Sequence, residues 1–361
     1  MTQEAMTTGR GTEQTVASVV EIFEDLLGVS PILPDEDFFD AGGHSLLAVQ
    51  LVARVNAAFA TDIPLSALFD TDGADGVSPT AIARLVAGDA GAQGSDLVML
   101  ARGVGVGAGS ARDARMVCVP PAGGEVVSLR EFAATFAEAE TAGTVQAFQF
   151  PPIAPGEDHG IGALAARLLA ALPDDPADQT VLLGWSMGGI VAFEAARLRA
   201  AAARVPAHVV LVDSYPAGTI PDSDDFGIVP GLVEELQAAI GHRVPVDLAA
   251  ARALPLLEGV ELVMSAPAGL TDAERDVVRA KVLMLEAHVT AARAYQLQPY
   301  EGPVTLVQAA DTDAGQRDAA RQAWQAVCRD LRTVVVPGQH LSLFGRPYVE
   351  GLARAVLEAV G

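Results

Sequence analysis

In the stretch Gly184-Trp185-Ser186-Met187-Gly188 one serine stands between two glycines, directly after an apolar run and directly before residues with helical spacing. A serine held in a sharp strand-to-helix turn has its Oγ thrust above the sheet, and only small neighbours tolerate the crowding. The helix N-terminus behind it favours negative charge. Such a serine is a nucleophile once a base takes its proton. The chain has 6 histidines: His44, His159, His208, His242, His288 and His340. His44 lies far upstream, His159 in a loop after an early strand, His208 at the start of a strand, and His242 and His288 in a stretch without strands. His340 alone follows the last strand-like run, in "VVVPGQHLSLF", and is the expected base. The acid that orients it has two possible positions. Asp213 ends the strand after the nucleophile helix, in "LVDSYP", and is our choice; Asp311 and Asp313 end the next strand, in "LVQAADTDAG". An oxyanion needs preorganised N–H donors, each worth about 3–4 kcal/mol. Met187, after the nucleophile, supplies one. In "VPPAGGEV", Pro120 and Pro121 lack an N–H, so Ala122 is the first available second donor, and Gly123 and Gly124 let an acyl group come close.

These residues need a scaffold that brings strand ends together. From residue 97 onward β-type runs alternate with helical ones: "LVMLA", "MVCVP", "TVQAFQF", "TVLLGW", "HVVLVD", "PVTLVQAA" and "RTVVVP". That alternation predicts a mainly parallel sheet covered on both faces. Residues 214–300 break it with about three helical segments, the longest from Asp272 to Leu297, and read as a helical lid. The glycine run "GVGVGAG" (103–109) lacks the third glycine of a dinucleotide loop and a following helix, so we read it as a hairpin turn.

Upstream, "TVASVVEIFEDLL" (15–27), a helix starting at Ser45, "PLSALF" and "SPTAIARLVAG" form a small all-helical unit. Its charge is lopsided, with about 13 carboxylates against two arginines between residues 13 and 90. The following "GDAGAQGSD" has linker composition. The 361-residue chain carries a formal charge of −23, which argues against nucleic acid as a partner. No apolar stretch approaches the roughly 18 residues of a membrane span, and no secretory leader is visible, so a cytoplasmic setting is expected. Two cysteines, Cys118 and Cys328, make neither a disulfide framework nor a metal site, and both are expected to be buried thiols. No metal is expected.

Ser45 lies in "DFFDAGGHSLLAVQL" with no histidine beyond its neighbour to activate it; alone it would be a helix cap. "GGHSL" after "FFDAG", within a helical module ending in "PTAIARLV", resembles a peptidyl carrier protein of nonribosomal peptide synthetases. The resemblance implies a four-helix carrier over residues 13–90, with a 4'-phosphopantetheine arm attached at Ser45, then a flexible linker over 91–96. Residues 97–361, through "PPAGG", "GWSMGG", "LVDSYP" and "GQH" in that order, resemble the type I thioesterase domain that ends such synthetases, an α/β-hydrolase fold with a helical lid over about 214–300. Carried over, the resemblance makes Ser186 the nucleophile, His340 the base, Asp213 the acid, and Ala122 and Met187 the oxyanion donors. It supports Asp213 over Asp311. It also implies upstream synthetase modules with condensation and adenylation domains, and a phosphopantetheinyl transferase, as partners. The chain's end at Gly361 suits the last position of an assembly line.

On that reading a peptidyl or acyl thioester on the Ser45 arm passes to Ser186. Water then gives a free acid, or an internal amine or hydroxyl gives a lactam or lactone; the motifs do not choose. A stand-alone editing thioesterase or general serine hydrolase would not need its own "GGHSL". A carrier and binding module with an inactive hydrolase half would not need every catalytic residue type. Tyr215, Phe226, Tyr295 and Tyr300 are the notable aromatics of the lid, which suits a broad apolar cavity.

Overall fold

The computed structural model describes residues 3–43, 45–63, 67–68, 76–88, 96–102, 115–124, 126–138, 143–154, 156–172, 180–202, 207–220, 233, 245–265 and 272–360. It divides into two compact units, Met1–Ser95 with Val229–Val278, and Asp96–Ile228 with Arg279–Gly361. His44, the glycine run at 103–109, most of the expected helix at "PLSALF" and most of the expected linker lie outside the described residues, as do His242 and Phe226.

In the first unit, α1 (Gln3–Leu27), α2 (Ser45–Phe59) and α3 (Pro79–Val86) enclose one core. Phe23, Phe38, Leu51, Val55, Leu68 and Ile82 are buried in it, with Phe23 and Phe38 edge to face at 5.0 Å between centroids. α1 starts upstream of the apolar spacing that marks it. α3 begins at a serine cap, where Ser78 Oγ accepts the N–H of Ala81, and a proline follows at the first helical position. Two short helices of the insertion, α7 (Leu248–Arg252) and α8 (Leu256–Ser265), also belong to this unit; Gly259 lies so near the Ala251 carbonyl oxygen that a Cβ would stand 2.4 Å from it.

The second unit is built on a seven-stranded sheet. Its strands are β1 (Leu97–Arg102), β2 (Arg115–Val119), β3 (Thr144–Phe148), β4 (Val181–Trp185), β5 (Val209–Val212), β6 (Tyr300–Ala309) and β7 (Cys328–Val336). They lie in the order β1-β3-β2-β4-β5-β6-β7, parallel except that β1 runs antiparallel to β3. The alternation of side chains fills both faces. Val117, Leu182, Leu211 and Leu306 point to the face covered by α5 (Ile161–Ala171) and α6 (Met187–Ala201). Cys118, Leu183, Val212 and Val307 point to the face covered by α4 (Arg130–Ala137) and α11 (Val349–Val360). Burial on both faces explains why these strands read as unbroken apolar runs. It also makes Cys118 and Cys328 buried free thiols, with burial holding the Cys328 thiol up at about 12.

Between β5 and β6 the longest helix is α9 (Asp272–Ala294), and α10 (Ala314–Gln325) follows β6. Among the described residues of 214–299 there is no strand. Also among the described residues, no helix is long and apolar enough to cross a membrane, and no group of three or more His, Cys, Asp or Glu side chains could hold a metal ion.

Candidate active site

Ser186 sits between β4 and α6 with φ 55° and ψ −126°, a conformation that L-residues rarely adopt. Its N–H is tied to the Val212 carbonyl at 2.9 Å, so the strained residue is anchored to the neighbouring strand. The glycines around it are required by space. A Cβ on Gly184 would stand 2.2 Å from the Gly188 carbonyl oxygen, and one on Gly188 would stand 2.3 Å from the carbonyl oxygens of Val119 and Pro120. α6 thus starts hard against the end of β2, which brings the loop carrying Ala122 beside the turn carrying Met187. We predict that Gly188→Ala destabilises the protein by about 3 kcal/mol or more, since backbone and not a flexible side chain must give way. Thermal unfolding checks this; a melting temperature equal to that of the parent chain would contradict it.

The end of β5 supplies Asp213, itself at φ 45° and 1 % exposed. Its N–H is bonded to the Val307 carbonyl at 2.7 Å. Oδ1 accepts the Ala309 N–H at 3.0 Å, and Oδ2 accepts the Tyr215 hydroxyl at 2.8 Å. Oδ2 also lies 2.7 Å from His340 Nδ1, and His340 Nε2 lies 3.1 Å from Ser186 Oγ. A carboxylate only accepts, so Nδ1 carries a hydrogen and Nε2 is left with a lone pair facing the serine hydroxyl. The imidazole lies near the rings of Trp185 and Tyr215, with centroids 5.9 and 5.7 Å away. The arrangement can therefore draw a proton off Ser186 and hold the resulting imidazolium against a buried carboxylate.

Of the residues singled out from the sequence, Ser186, Asp213 and His340 come together. Asp311 and Asp313 do not join them. Asp311 is exposed, its N–H bonded to the Gly338 carbonyl, and Asp313 caps α10 by accepting the Gln316 N–H. Met187 is the first residue of α6, where no intrahelical acceptor exists for its N–H. Ala122 and Met187 are both buried. His208 pairs with Thr305 Oγ1 at 3.0 Å, and burial lowers its pKa. His159 Nε2 accepts the Ala154 N–H at 3.3 Å. Ser45 opens α2. The loop leading to it is fixed by Asp37, whose carboxylate accepts the N–H groups of Phe39 and Val77, and by Gly43, whose N–H bonds to the Phe38 carbonyl.

Two contributors escape a reading by sequence. Tyr215 is one of the notable lid aromatics, but its place two residues after Asp213 is the clue to its hydroxyl reaching that carboxylate. Burial, and then the adjacent Asp213 charge, raise its pKa well above the ordinary phenol range, so it remains a donor. His288, set aside as a lid residue, has its Nδ1 2.8 Å from the Ala122 carbonyl oxygen.

A family model described as a thioesterase domain matches residues 114–359, and one described as a phosphopantetheine attachment site matches residues 17–75. Chondramide synthase cmdD of Chondromyces crocatus is 26% identical over 357 residues, covering 95% of this chain and 9% of its own length. A dimodular nonribosomal peptide synthase of Bacillus subtilis (strain 168) is 28% identical over 222 residues, covering 60% of this chain and 9% of its own. The chain thus spans less than a tenth of the length of these curated relatives. Among solved structures, holo-AB3403, a four-domain nonribosomal peptide synthetase, has a TM-score of 0.58 at 22% identity, covering 95% of this chain and 26% of that one. The wild-type Vlm2 thioesterase domain has a TM-score of 0.50 at 18% identity, covering 73% and 97%. These likenesses show a shared fold.

Proposed function

The chain belongs to the thioesterase family, joined to a carrier module with a phosphopantetheine attachment site, and from that premise we propose that a peptidyl or acyl thioester borne on Ser45 is released through Ser186. The observation that carries the reading is the unbroken run of contacts from Asp213 Oδ2 to His340 Nδ1 and from His340 Nε2 to Ser186 Oγ.

Ser45 stands at the first residue of a 15-residue helix, where unpaired N–H groups and the helix dipole favour a phosphodiester. The arm, once attached there, supplies a thiol that carries the acyl chain as a thioester. Ser186 Oγ attacks the thioester carbonyl while His340 Nε2 takes its proton, and Asp213 stabilises the imidazolium that results. The N–H groups of Ala122 and Met187 face the oxygen that becomes negative. His340 returns the proton to the departing thiol, leaving the acyl group as an ester on Ser186. In the second half His340 takes a proton from water that attacks the ester, giving a free acid, or from an amine or hydroxyl of the chain itself, giving a lactam or lactone, and returns it to Ser186 Oγ as the ester bond breaks. The carrier is a four-helix bundle over residues 13–90, followed by a linker over 91–96 and by the thioesterase domain over 97–361 with its lid over about 214–300. The partners are upstream condensation and adenylation domains and a phosphopantetheinyl transferase. The buried free thiols suit a cytoplasmic setting.

The test is to load the chain with a labelled acyl-phosphopantetheine, transferred from its acyl-coenzyme A by a phosphopantetheinyl transferase, and to weigh the released product. Wild type should accept one arm and release the label, with product mass equal to the acid for hydrolysis or to the acid less water for cyclisation. Ser45→Ala should take no arm. An arm found on Ser45→Ala, or a loaded chain that never releases its label, would overturn the reading.

A further inference from the structure

Two residues on one face of α9 close on the loop that carries Ala122. A Cβ added at Gly124 would stand 2.6 Å from Met284 Sδ, and four residues along the helix His288 Nδ1 lies 2.8 Å from the Ala122 carbonyl oxygen. A carbonyl only accepts, so Nδ1 carries the hydrogen and Nε2 is the bare nitrogen. The His288 ring is 0 % exposed, meets the Phe150 ring edge to face at 4.6 Å, and leaves Nε2 without a hydrogen-bond partner among the described residues. Burial first, and then the neighbouring His159, hold its pKa below the ordinary histidine value, against the pull of the Ala122 carbonyl. A neutral ring with one hydrogen, on Nδ1, is the form this pocket accepts.

The carbonyl and the N–H of Ala122 flank the same Cα, and Pro121 before it has a fixed φ. Pinning the carbonyl therefore limits the rotation that would turn the N–H away from an oxyanion. The loop's own backbone adds one turn bond, from the Gly124 N–H to the Pro121 carbonyl at 2.8 Å, which leaves the Ala122 carbonyl to His288. We infer that His288 is a positioning residue that holds the Ala122 N–H at the oxyanion site, so that this donor is set by the lid helix and not by the sheet alone. The inference rests on the thioesterase reading of Ser186, and no contact between His288 and substrate is required.

The pair His288→Leu and His288→Asn in the full chain tests it, because the two side chains are close in size and differ in the donor that asparagine offers near the Nδ1 position. With the N-acetylcysteamine thioester of hexanoic acid as substrate, His288→Leu should lose about 10- to 100-fold in kcat with KM little changed. The inhibition constant of phenylboronic acid, which forms a tetrahedral adduct on the serine, should rise in parallel. His288→Asn should restore most of both. Full activity in His288→Leu, equal loss in both variants, or a fall in kcat with unchanged boronate affinity would each overturn the inference. If the leucine variant does not fold, the asparagine variant must still retain kcat, and nitrogen-15 NMR of histidine-labelled wild type must show His288 with its hydrogen on Nδ1; a hydrogen on Nε2 would overturn it. Undiminished turnover in Ser186→Ala would sink the thioesterase reading of Ser186, whereas loss of turnover there beside full activity in His288→Leu sinks only the role given to His288.

Discussion

Ser186→Ala is expected to slow acyl release by about 10⁶-fold, the cost of removing the nucleophile from a serine–histidine pair. On the proposed mechanism water then attacks a carbonyl still held by the Ala122 and Met187 donors, so the rate should remain about 10³-fold or more above the uncatalysed reaction. The substitution keeps the backbone strain, since alanine is no more at home than serine at φ 55° and ψ −126°. Ser186→Gly removes nucleophile and strain together, and should unfold at a higher temperature than Ser186→Ala by a margin worth about 1 kcal/mol. Release rates and calorimetry on the two variants measure both effects. A glycine variant less stable than the alanine variant would contradict the account of strain.

Asp213→Asn is expected to lower kcat by about 10⁴-fold. Three donors converge on this carboxylate: the Ala309 N–H, the Tyr215 hydroxyl and His340 Nδ1. Two of them share Oδ2, so an asparagine must turn its NH₂ either toward Ala309 or toward both Tyr215 and His340. The second placement forces the imidazole to present its hydrogen to Ser186, and a base that faces its substrate with a hydrogen cannot accept a proton. Either placement also leaves the imidazolium without a countercharge. Asp311→Asn should leave kcat unchanged, because Asp311 is exposed and outside these contacts. Steady-state rates of both variants decide the matter, and a large loss in Asp311→Asn with a small one in Asp213→Asn would reverse the assignment.

The turn at Ser186 and the placement of His340 beside it were legible because their constraints are local. Glycines at 184 and 188 answer to a crowding that any side chain would violate, and His340 follows the last strand as the chain order demands. The carboxylate that meets His340 was harder to read. Asp213 and Asp311 end adjacent strands, β5 and β6, at the same edge of the sheet, and what separates them is a hydrogen-bond environment assembled from Ala309 and Tyr215 in space. Strand direction was not legible either. The apolar run of β1 carries the same alternation whichever way it runs, so its antiparallel pairing with β3 is decided by where the chain enters the sheet. His288 was passed over because it lies in a stretch without strands, and only the fold brings its helix against the loop at Ala122.

Passage of the acyl group through Ser186 is tested most directly by peptide mapping by mass spectrometry of the wild-type chain, loaded at Ser45 with a slowly released acyl group and quenched at intervals. On that passage the acyl mass leaves the peptide containing Ser45, builds up on the peptide containing Ser186 and then falls as product forms. Product formation at the same rate with the acyl mass never found on the Ser186 peptide, and undiminished in Ser186→Ala, would contradict it.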